Sequence, residues 1–430
     1  MKRKSSLKKV IMIGILACIM LFSVVLVSAT QDKVTLTWWS PDPVKLSEPY
    51  FEIAKAFMDK HPNIEVKVQL VPEDGYIEKS LTSIAAGTPP DVFFQFDLPG
   101  FAQRGALLDL TPYIAESNFD VSVYPKQLFE STCKYKGKIY GLPRDLLISA
   151  IYYNKDMFDK AGVAYPQDGW TTDDLLEIAK KLTDAKKREY GTITFWWNWG
   201  SIAPSFGTKI INPEGTKVIT NSPEMVAFLK WNSDLLLKYK VAPTPAMMQT
   251  LGGGGGGPLE LFETGKIGMV YADHWGVKIF RDAKMNFGTV EEPIMPGGKH
   301  YADALLCLWG IPNNSNHKQE AWELLKFIVG PEGSEIMGRS WAIPAIPAVA
   351  KKLGFYEDPI EEAFFKQLVW EPYDMPWIRI SGWVSIGSPL WDMESVIMAR
   401  KSPISVEEIK KLLDEATIRA QHELEKFIKD

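Results

Sequence analysis

The side chains best suited to chemistry in this 430-residue sequence are aromatic rings that stand near hydrogen-bonding groups. Arg144 and Asp145 come directly before an apolar run of strand length, Leu146 to Tyr153, and charged groups at such a strand's mouth stay available to a ligand. Aromatic faces stack on the C–H faces of sugar rings, while carboxylate, amide and guanidinium groups hydrogen-bond sugar hydroxyls. This pattern favours a carbohydrate site.

Tryptophan is abundant, with fifteen residues in the chain. Trp231 and Trp322 fall on helical faces, which favours core packing. Seven others stand at predicted strand ends or in loops rich in Gly, Pro and Ser, where a large ring gains little from burial. Each of these seven is open to two interpretations, a ligand platform or a packing plug. They are Trp39, Trp196, Trp197, Trp199, Trp275, Trp383 and Trp391.

Short motifs of catalysis and metal binding are missing from the sequence. It contains no Gly-x-Ser-x-Gly, no His-Glu-x-x-His, no Cys-x-x-Cys and no calcium-loop spacing. A glycosidase stays possible, because its two carboxylates come from distant positions and leave no local pattern. We therefore expect no enzyme activity, no cofactor and no metal, with a secreted glycan-degrading enzyme as the remaining alternative.

Alternating strand and helix patterns lead up to the charged crossing. Val34 to Trp39 and Ile64 to Leu70 alternate as strands do, helical spacing follows each, and Val92 to Phe96 forms a third strand. Such alternation predicts a largely parallel sheet with ligands beyond the carboxyl ends of its strands. Those ends carry Trp38, Trp39, Ser40, Gln95 and Asp97.

A second α/β unit begins after the crossing. Thr171 and Asp174 form a capping-box variant that opens a helix, and Ser222 caps another helix with Pro223 at its first position. Asp303 to Trp309 is a second apolar run that could return to the first unit. Another capping box, Ser405-x-x-Glu408, then opens a long C-terminal helix, so the sequence predicts two α/β lobes.

The N-terminus has the pattern of a signal peptide. A basic segment precedes the apolar run Val10 to Val27, and Val27-Ser28-Ala29 offers the small residues of a cleavage site. An uncleaved anchor and acylation of Cys18 are the alternatives, but apolar residues continue well past Cys18, so cleavage is favoured. Loss of five basic residues changes the net charge from −5 to −10, and a nucleic-acid partner is therefore not expected.

Two cysteines remain after such cleavage, Cys133 and Cys307, each in a strand-like context without metal spacing. We expect two buried thiols, although an exported chain could also form a disulfide.

From about Val34 onward the sequence resembles the extracellular solute-binding proteins that include the maltose-binding protein, the sugar-capturing component of ABC importers. Each motif is weak alone, but together and in this order they are specific. They are Phe57-x-x-x-His-Pro-x-Ile-x-Val66, Gly87-Thr-Pro-Pro-Asp-Val92, Gly105-Ala-Leu-Leu-Asp-Leu-Thr-Pro-Tyr-Ile114, Tyr140-Gly-Leu-Pro-Arg-Asp145, Tyr152-Tyr-Asn-Lys155, Phe262-x-x-Gly-Lys-x-x-Met269 and Trp341-x-x-Pro-Ala345.

The resemblance implies a type II periplasmic-binding-protein fold with two hinged lobes, mixed and mostly parallel sheets, and flanking helices. After a signal peptide of residues 1–29, lobe 1 is expected to comprise 30–146 and 305–350, and lobe 2 to comprise 147–304 and 351–430. The expected protein is a monomer in the periplasm or at the outer face of the cytoplasmic membrane. It would capture a carbohydrate, an oligosaccharide, between the lobes and deliver it to ABC permease subunits. The alternative is a non-sugar solute such as a peptide or a polyamine.

By motif, the resemblance also implies which residues contact the ligand. The chain departs from the maltose-binding member at Leu147, where that protein has a carboxylate, and at Gln95, where it has an aromatic residue, so the sugar need not be maltose. The residues that the resemblance implies are Trp39, Ser40, Gln95, Asp97, Asp145, Trp275 and, as a looser match, Trp391. The sequence pattern adds Arg144, Trp196 and Trp197.

We predict that the mature protein begins at Thr30, because the small residues of the cleavage site end at Ala29. N-terminal sequencing of the exported protein should return Thr30. A lipid-modified Cys18 at the N-terminus would contradict simple cleavage.

Overall fold

A computed structural model describes residues 33–195, 202–251, 257–372, 375–378 and 380–428. The predicted signal peptide lies outside the described residues. In chain order the strands are β1 (Val34–Ser40), β2 (Ile64–Leu70), β3 (Val92–Gln95), β4 (Lys134–Tyr135), β5 (Lys138–Ile139), β6 (Leu142–Asn154), β7 (Met269–Asp273), β8 (Phe287–Val290), β9 (Tyr301–Ala302), β10 (Ala304–Gly310) and β11 (Glu371–Pro372).

Helices flank these strands along the described chain. They are α1 (Glu48–Lys60), α2 (Tyr76–Ala85), α3 (Leu98–Gln103), α4 (Thr111–Ser117), α5 (Lys126–Thr132), α6 (Lys155–Ala161), α7 (Thr172–Leu182), α8 (Pro223–Leu237), α9 (Pro245–Leu251), α10 (Gly257–Glu263), α11 (Gly276–Asp282), α12 (Lys318–Val329), α13 (Pro331–Ser340), α14 (Pro347–Lys352), α15 (Glu362–Lys366), α16 (Trp383–Met398) and α17 (Val406–Ile428).

Strand β6 links the two halves of the main sheet. The spatial order of this sheet is β2-β1-β3-β10-β6-β7, and β8 also pairs with β6. With 13 residues, β6 is long enough to pair with β10 through its first half and with β7 and β8 through its second half. The predicted crossing strand is thus confirmed, and so is the return of the chain through the second apolar run, which forms β10.

The sheet is mixed, as expected, but parallel pairs do not predominate among the described strands. β1 pairs in parallel with β2 and β3, as the strand and helix alternation predicts. The pairs that involve β6 and β10 are antiparallel. The reason is that the chain re-enters the sheet through these crossing strands, and β10 runs opposite to both of its neighbours.

Local sequence signals account for several element boundaries. Lys136 and Gly137 connect β4 to β5 with φ values of 46° and 81°, the left-handed conformation that a two-residue hairpin turn of type I′ requires. The Thr171 hydroxyl accepts a hydrogen bond from Asp174 N at 3.2 Å, and Asp174 accepts one from Thr171 N at 2.9 Å. The predicted hairpin and this capping box are therefore confirmed.

Aromatic side chains form the centre of the core beneath the crossing. The Trp38 and Trp309 rings meet edge to face at 5.2 Å, and Tyr50 lies 5.2 Å from the first and 5.7 Å from the second. All three side chains are fully buried. Because they come from β1, α1 and β10, this aromatic cluster joins distant parts of the chain around one core.

A second hydrophobic cluster forms where α8, α16 and α17 pack together, separate from the main core. Cys133 and Cys307 are both buried and unbridged, which confirms the expectation of two thiols. Trp322 is buried in the main core, as its place on a helical face predicts.

We predict that Trp309→Ala lowers the free energy of unfolding by about 3 to 5 kcal/mol, because it removes a fully buried ring from the aromatic cluster. Urea denaturation measures this change. Val369→Ala is the control, since Val369 is 86% exposed and its truncation should change stability by no more than about 0.5 kcal/mol. Equal stability of the two variants would contradict this account of the core.

Candidate ligand-binding site

A cleft of about 410 Å³ opens where the end of β3, the crossing strands and the turn after β7 come together. Its described lining combines aromatic rings, carboxylates and one guanidinium group. The lining residues are Pro41, Asp42, Pro43, Leu46, Glu73, Phe94, Phe96, Arg144, Leu147, Asp273, Trp275, Cys307 and Trp341.

Arg144 is the fixed charge of this cleft. Its Nη1 donates to Asp42 Oδ2 at 2.8 Å and to the Tyr50 hydroxyl at 3.3 Å. Its Nε donates to Asp145, and its Nη2 lies 3.4 Å from the second oxygen of the same carboxylate. The Tyr50 hydroxyl and the Ser40 hydroxyl also donate to Asp42 Oδ2, at 2.5 and 2.7 Å. Most of the guanidinium N–H groups are thus committed to protein partners.

The faces of the guanidinium are occupied as well. Its central carbon lies 4.5 Å from the ring centre of Phe94 and 5.1 Å from that of Trp341. Burial disfavours the charged form, but Asp145 and Asp42 hold the pKa of Arg144 well above its ordinary value. Burial also raises the pKa of Asp145, and Arg144 only partly opposes this rise. Arg144 therefore stays charged, and its charge is neutralised within the protein.

Asp273 ends β7 with its carboxylate in the cleft. It accepts hydrogen bonds from the Ser149 hydroxyl and from Trp275 Nε1, the latter at 3.2 Å. Burial raises the pKa of Asp273, and these two hydrogen bonds oppose the rise only in part. A carboxylate has about four acceptor positions, so two remain available to hydroxyl groups of a ligand.

Two aromatic rings present accessible faces to the cleft. Phe96 is 38% exposed and meets Phe94 edge to face at 4.6 Å. Trp275 is half-buried and is held by its hydrogen bond to Asp273. The cleft therefore offers apolar faces next to hydrogen-bond acceptors.

The structure places two of the predicted site residues, Arg144 and Trp275, in the lining of this cleft. Leu147, noted as a departure from the maltose-binding member, also lines it. Trp196 and Trp197 lie outside the described residues.

Two of the predicted site residues, at the end of β1, are outside the described lining of the cleft. The Trp39 ring is 9% exposed and is covered by Lys79, whose Nζ lies 5.1 Å from the ring centre. Ser40 is fully buried, and its hydroxyl supports Asp42 instead of facing the cleft. The residues that follow β1, rather than its last residues, reach the cleft.

Gln95 and Asp97 also have roles that differ from the predicted one. Gln95 is buried on the face of β3 opposite Phe94, packed against Gly310, where an added Cβ would lie 3.0 Å from Gln95 Nε2. Asp97 caps α3 by accepting from Gly100 N at 2.9 Å. Burial raises the pKa of Asp97, and its backbone hydrogen bonds lower it only in part.

Asp145 and Trp391 also lie outside the described lining of the cleft. Asp145 is 2% exposed, and its carboxylate faces Arg144 rather than the cleft. Trp391 lies within α16, 37% exposed, with its ring 6.5 Å from that of Trp383. Neither residue belongs to the described lining of the cleft.

Several cleft residues were missed from the sequence. Strict alternation along the predicted strand, Val92 to Phe96, could have identified Phe94 and Phe96 as partners on one face. The remaining missed residues become neighbours of the cleft only when the chain folds. The missed residues are Asp42, Glu73, Phe94, Phe96, Asp273 and Trp341.

The described ranges contain no cluster of three or more His, Cys, Asp or Glu side chains that could hold a metal ion. Within those same ranges, every helix is too short or too polar to span a membrane.

Comparison with known proteins agrees with this architecture. In sequence, the chain is 26% identical over 326 residues to an arabinooligosaccharide-binding protein of Bacillus subtilis, which covers 71% of each chain. It is 24% identical over 332 residues to a maltooligosaccharide ABC transporter solute-binding lipoprotein of Streptococcus pneumoniae, covering 74% of each. In structure, it is similar to an ABC substrate-binding protein of Listeria monocytogenes solved with cycloalternan, with a TM-score of 0.81, 28% identity, and coverage of 91% of this chain and 99% of that one.

Solved structures that are similar to this chain have a two-lobed α/β fold, and the present chain has the same fold. The model of the family described as bacterial extracellular solute-binding protein matches residues 44–335, more than half of the chain. The protein therefore belongs to the bacterial extracellular solute-binding proteins and, within them, is similar to the maltose-binding protein.

Proposed function

We propose that this protein captures an oligosaccharide in its cleft and delivers it to the permease subunits of an ABC importer. The observation that carries this proposal is the pairing of accessible aromatic faces, Phe96 and Trp275, with the free acceptor positions of Asp273. Sugar rings have both an apolar face and hydroxyl edges, and this arrangement matches both.

The ligands of relatives support an oligosaccharide over the other solutes considered. Related proteins are named for arabinooligosaccharides and maltooligosaccharides, and similar structures were solved with cycloalternan and mannotriose. These names share one chemistry, linked neutral sugars. A peptide or a polyamine finds no comparable support among these relatives.

Capture without catalysis is the proposed activity. Members of the family are solute-binding proteins. In the cleft, Asp42 is committed to Arg144, and Asp273 is committed in part to Ser149 and Trp275. A glycosidase needs one carboxylic acid to give its proton to the leaving oxygen and a second carboxylate to act opposite it. The hydrogen bonds of Asp42 and Asp273 favour fixed acceptor roles instead, and Glu73, the remaining carboxylate of the described lining, does not make such a pair alone.

We further propose that the cleft closes between two hinged lobes, 30–146 with 305–350 and 147–304 with 351–430. The continuous strand β6 supports this division, because it pairs with β10 up to Ile148 and with β7 from Ser149 onward. Outside the crossing strands, Gln103 Nε2 of the first lobe donates to Phe427 O of the second at 3.3 Å. This hydrogen bond between the proposed lobes supports an arrangement in which they lie close together.

Membership in an extracellular family makes this an exported protein. We propose that it acts as a monomer in the periplasm or at the outer face of the cytoplasmic membrane, where the permease subunits open. The lipoprotein named among its relatives supports a place of action near that surface.

The proposal predicts that one class of oligosaccharide raises the melting temperature of the protein. Ligand at about 100 times its dissociation constant stabilises the folded state by about 2.7 kcal/mol. A thermal-shift screen of malto-, manno- and arabino-oligosaccharides, with peptides and spermidine as controls, tests this expectation. Stabilisation by a control solute alone would contradict the sugar assignment, and cleavage products in the sugar samples would contradict capture without catalysis.

For Trp275→Ala we predict a loss of about 2 kcal/mol of binding, roughly thirty-fold in affinity, because the substitution removes a stacking face. The melting temperature of the unliganded variant should change little, since Trp275 is only half-buried. Calorimetric titration with the best sugar of the screen measures the affinity. Tyr356→Ala, which removes a ring that is 43% exposed and outside the described lining of the cleft, is the control and should bind like the original protein. Equal weakening in both variants would remove Trp275 from the site.

A further inference from the structure

The last residue of β7 and the first two residues of the turn after it have different surroundings. Asp273 and Trp275 line the cleft, whereas His274 between them is 4% exposed and lines a separate groove of about 450 Å³. Asp273 and Trp275 thus present two groups to the cleft, while His274 between them lies on the other side.

His274 is held on the side away from the cleft. Its Nε2 pairs with a carboxylate oxygen of Glu361, which is itself 4% exposed. The other oxygen of Glu361 accepts from Arg281 Nη1 at 3.3 Å. The imidazole ring packs edge to face against Phe364, with ring centres 5.0 Å apart. The side chain of His274 therefore fastens the turn to the start of α15.

Tyr152 holds the backbone of the same turn. Its hydroxyl lies 2.9 Å from the carbonyl oxygen of Asp273 and 3.3 Å from that of His274, and the ring is fully buried. At Gly276, an added Cβ would lie 3.1 Å from this hydroxyl. The absence of a side chain at Gly276 is what lets the turn pass so close to Tyr152.

We propose that Tyr152 and His274 are positioning residues for solute binding, acting through the placement of Asp273 and Trp275; this inference rests on the proposed function. Neither positioning residue lines the cleft. Binding groups held in place before the ligand arrives give tighter binding, because less freedom is lost on association. Without the Tyr152 hydroxyl or the His274 anchor, the Trp275 ring and the Asp273 carboxylate occupy a wider range of positions.

The adjacent tyrosine provides a matched control. Tyr153 is also buried in β6, but it points to the other side of the sheet, where its ring packs against Phe158 at 5.5 Å. Tyr153→Phe and Tyr152→Phe each remove one oxygen atom from a buried ring in the same strand. If the two variants differ in sugar binding, the cause is the positioning of the turn and not a general effect on the core.

The test combines sugar binding with a signal from Trp275 that needs no ligand. Four variants of the full chain are titrated with maltotriose, mannotriose and arabinotriose: Tyr152→Phe, Tyr153→Phe, His274→Leu and His274→Gln. In parallel, each is labelled with 5-fluorotryptophan, and the Trp275 fluorine resonance is assigned from its loss in Trp275→Phe. His274→Gln keeps a hydrogen-bonding group near Glu361. Tyr152→Phe keeps the buried ring, so it still tests the proposal if His274→Leu does not fold.

We expect Tyr152→Phe and His274→Leu to weaken trisaccharide binding about ten-fold or more, while Tyr153→Phe binds normally and His274→Gln recovers most of the affinity. The Trp275 resonance should shift or broaden in the two weakened variants alone. Normal binding by Tyr152→Phe, equal weakening by Tyr153→Phe, or an unchanged Trp275 resonance would overturn the assignment. If the original protein binds none of the three sugars, the proposed function fails for them, and the fluorine spectra still decide whether Tyr152 and His274 position the turn.

Discussion

The buried charge of Arg144 is the constraint on which the cleft depends. A guanidinium taken out of water has to be neutralised by nearby carboxylates, and removal of one partner from such a pair typically costs about 3 to 5 kcal/mol. Asp145 supplies one carboxylate from the same strand, and Asp42 supplies the other from the segment after β1. Meeting this requirement fixes the start of β6 against the first strands of the sheet. It also commits most of the guanidinium N–H groups to protein partners, so recognition falls mainly to the groups around it.

Those groups come from separate stretches of chain that share one structural support. Phe96 follows β3, Asp273 ends β7, and Trp275 lies in the turn after β7. Strand β6 runs between them with pairing partners on both sides. A single strand that spans both halves of the sheet can bend without breaking either half. Movement of the halves about β6 would therefore change the separation between Phe96 and Trp275, and a bound sugar would favour the closer arrangement.

Local patterns predicted the elements well, whereas the cleft depended on contacts that no local pattern contains. The turn at Lys136 and Gly137, the cap at Thr171 and the strand from Leu146 to Tyr153 need only their own neighbours, and all were predicted. Position at a strand's end does not by itself place a residue in the lining of the cleft, because alternation turns Gln95 away from the side that Phe94 faces. The contacts of Arg144 with Asp42 and Trp341 join residues far apart in sequence and could be found only in the folded chain.

A crystal structure of the protein with the oligosaccharide that stabilises it most tests the central claim most directly. The account predicts a sugar ring stacked on Trp275, with ring atoms about 4 Å from the indole face, and a hydroxyl that donates to Asp273 within about 3 Å. Arg144 should keep its bonds to Asp42 and Asp145 in that complex. A sugar bound outside this cleft, or one held by a guanidinium released from both carboxylates, would contradict the account.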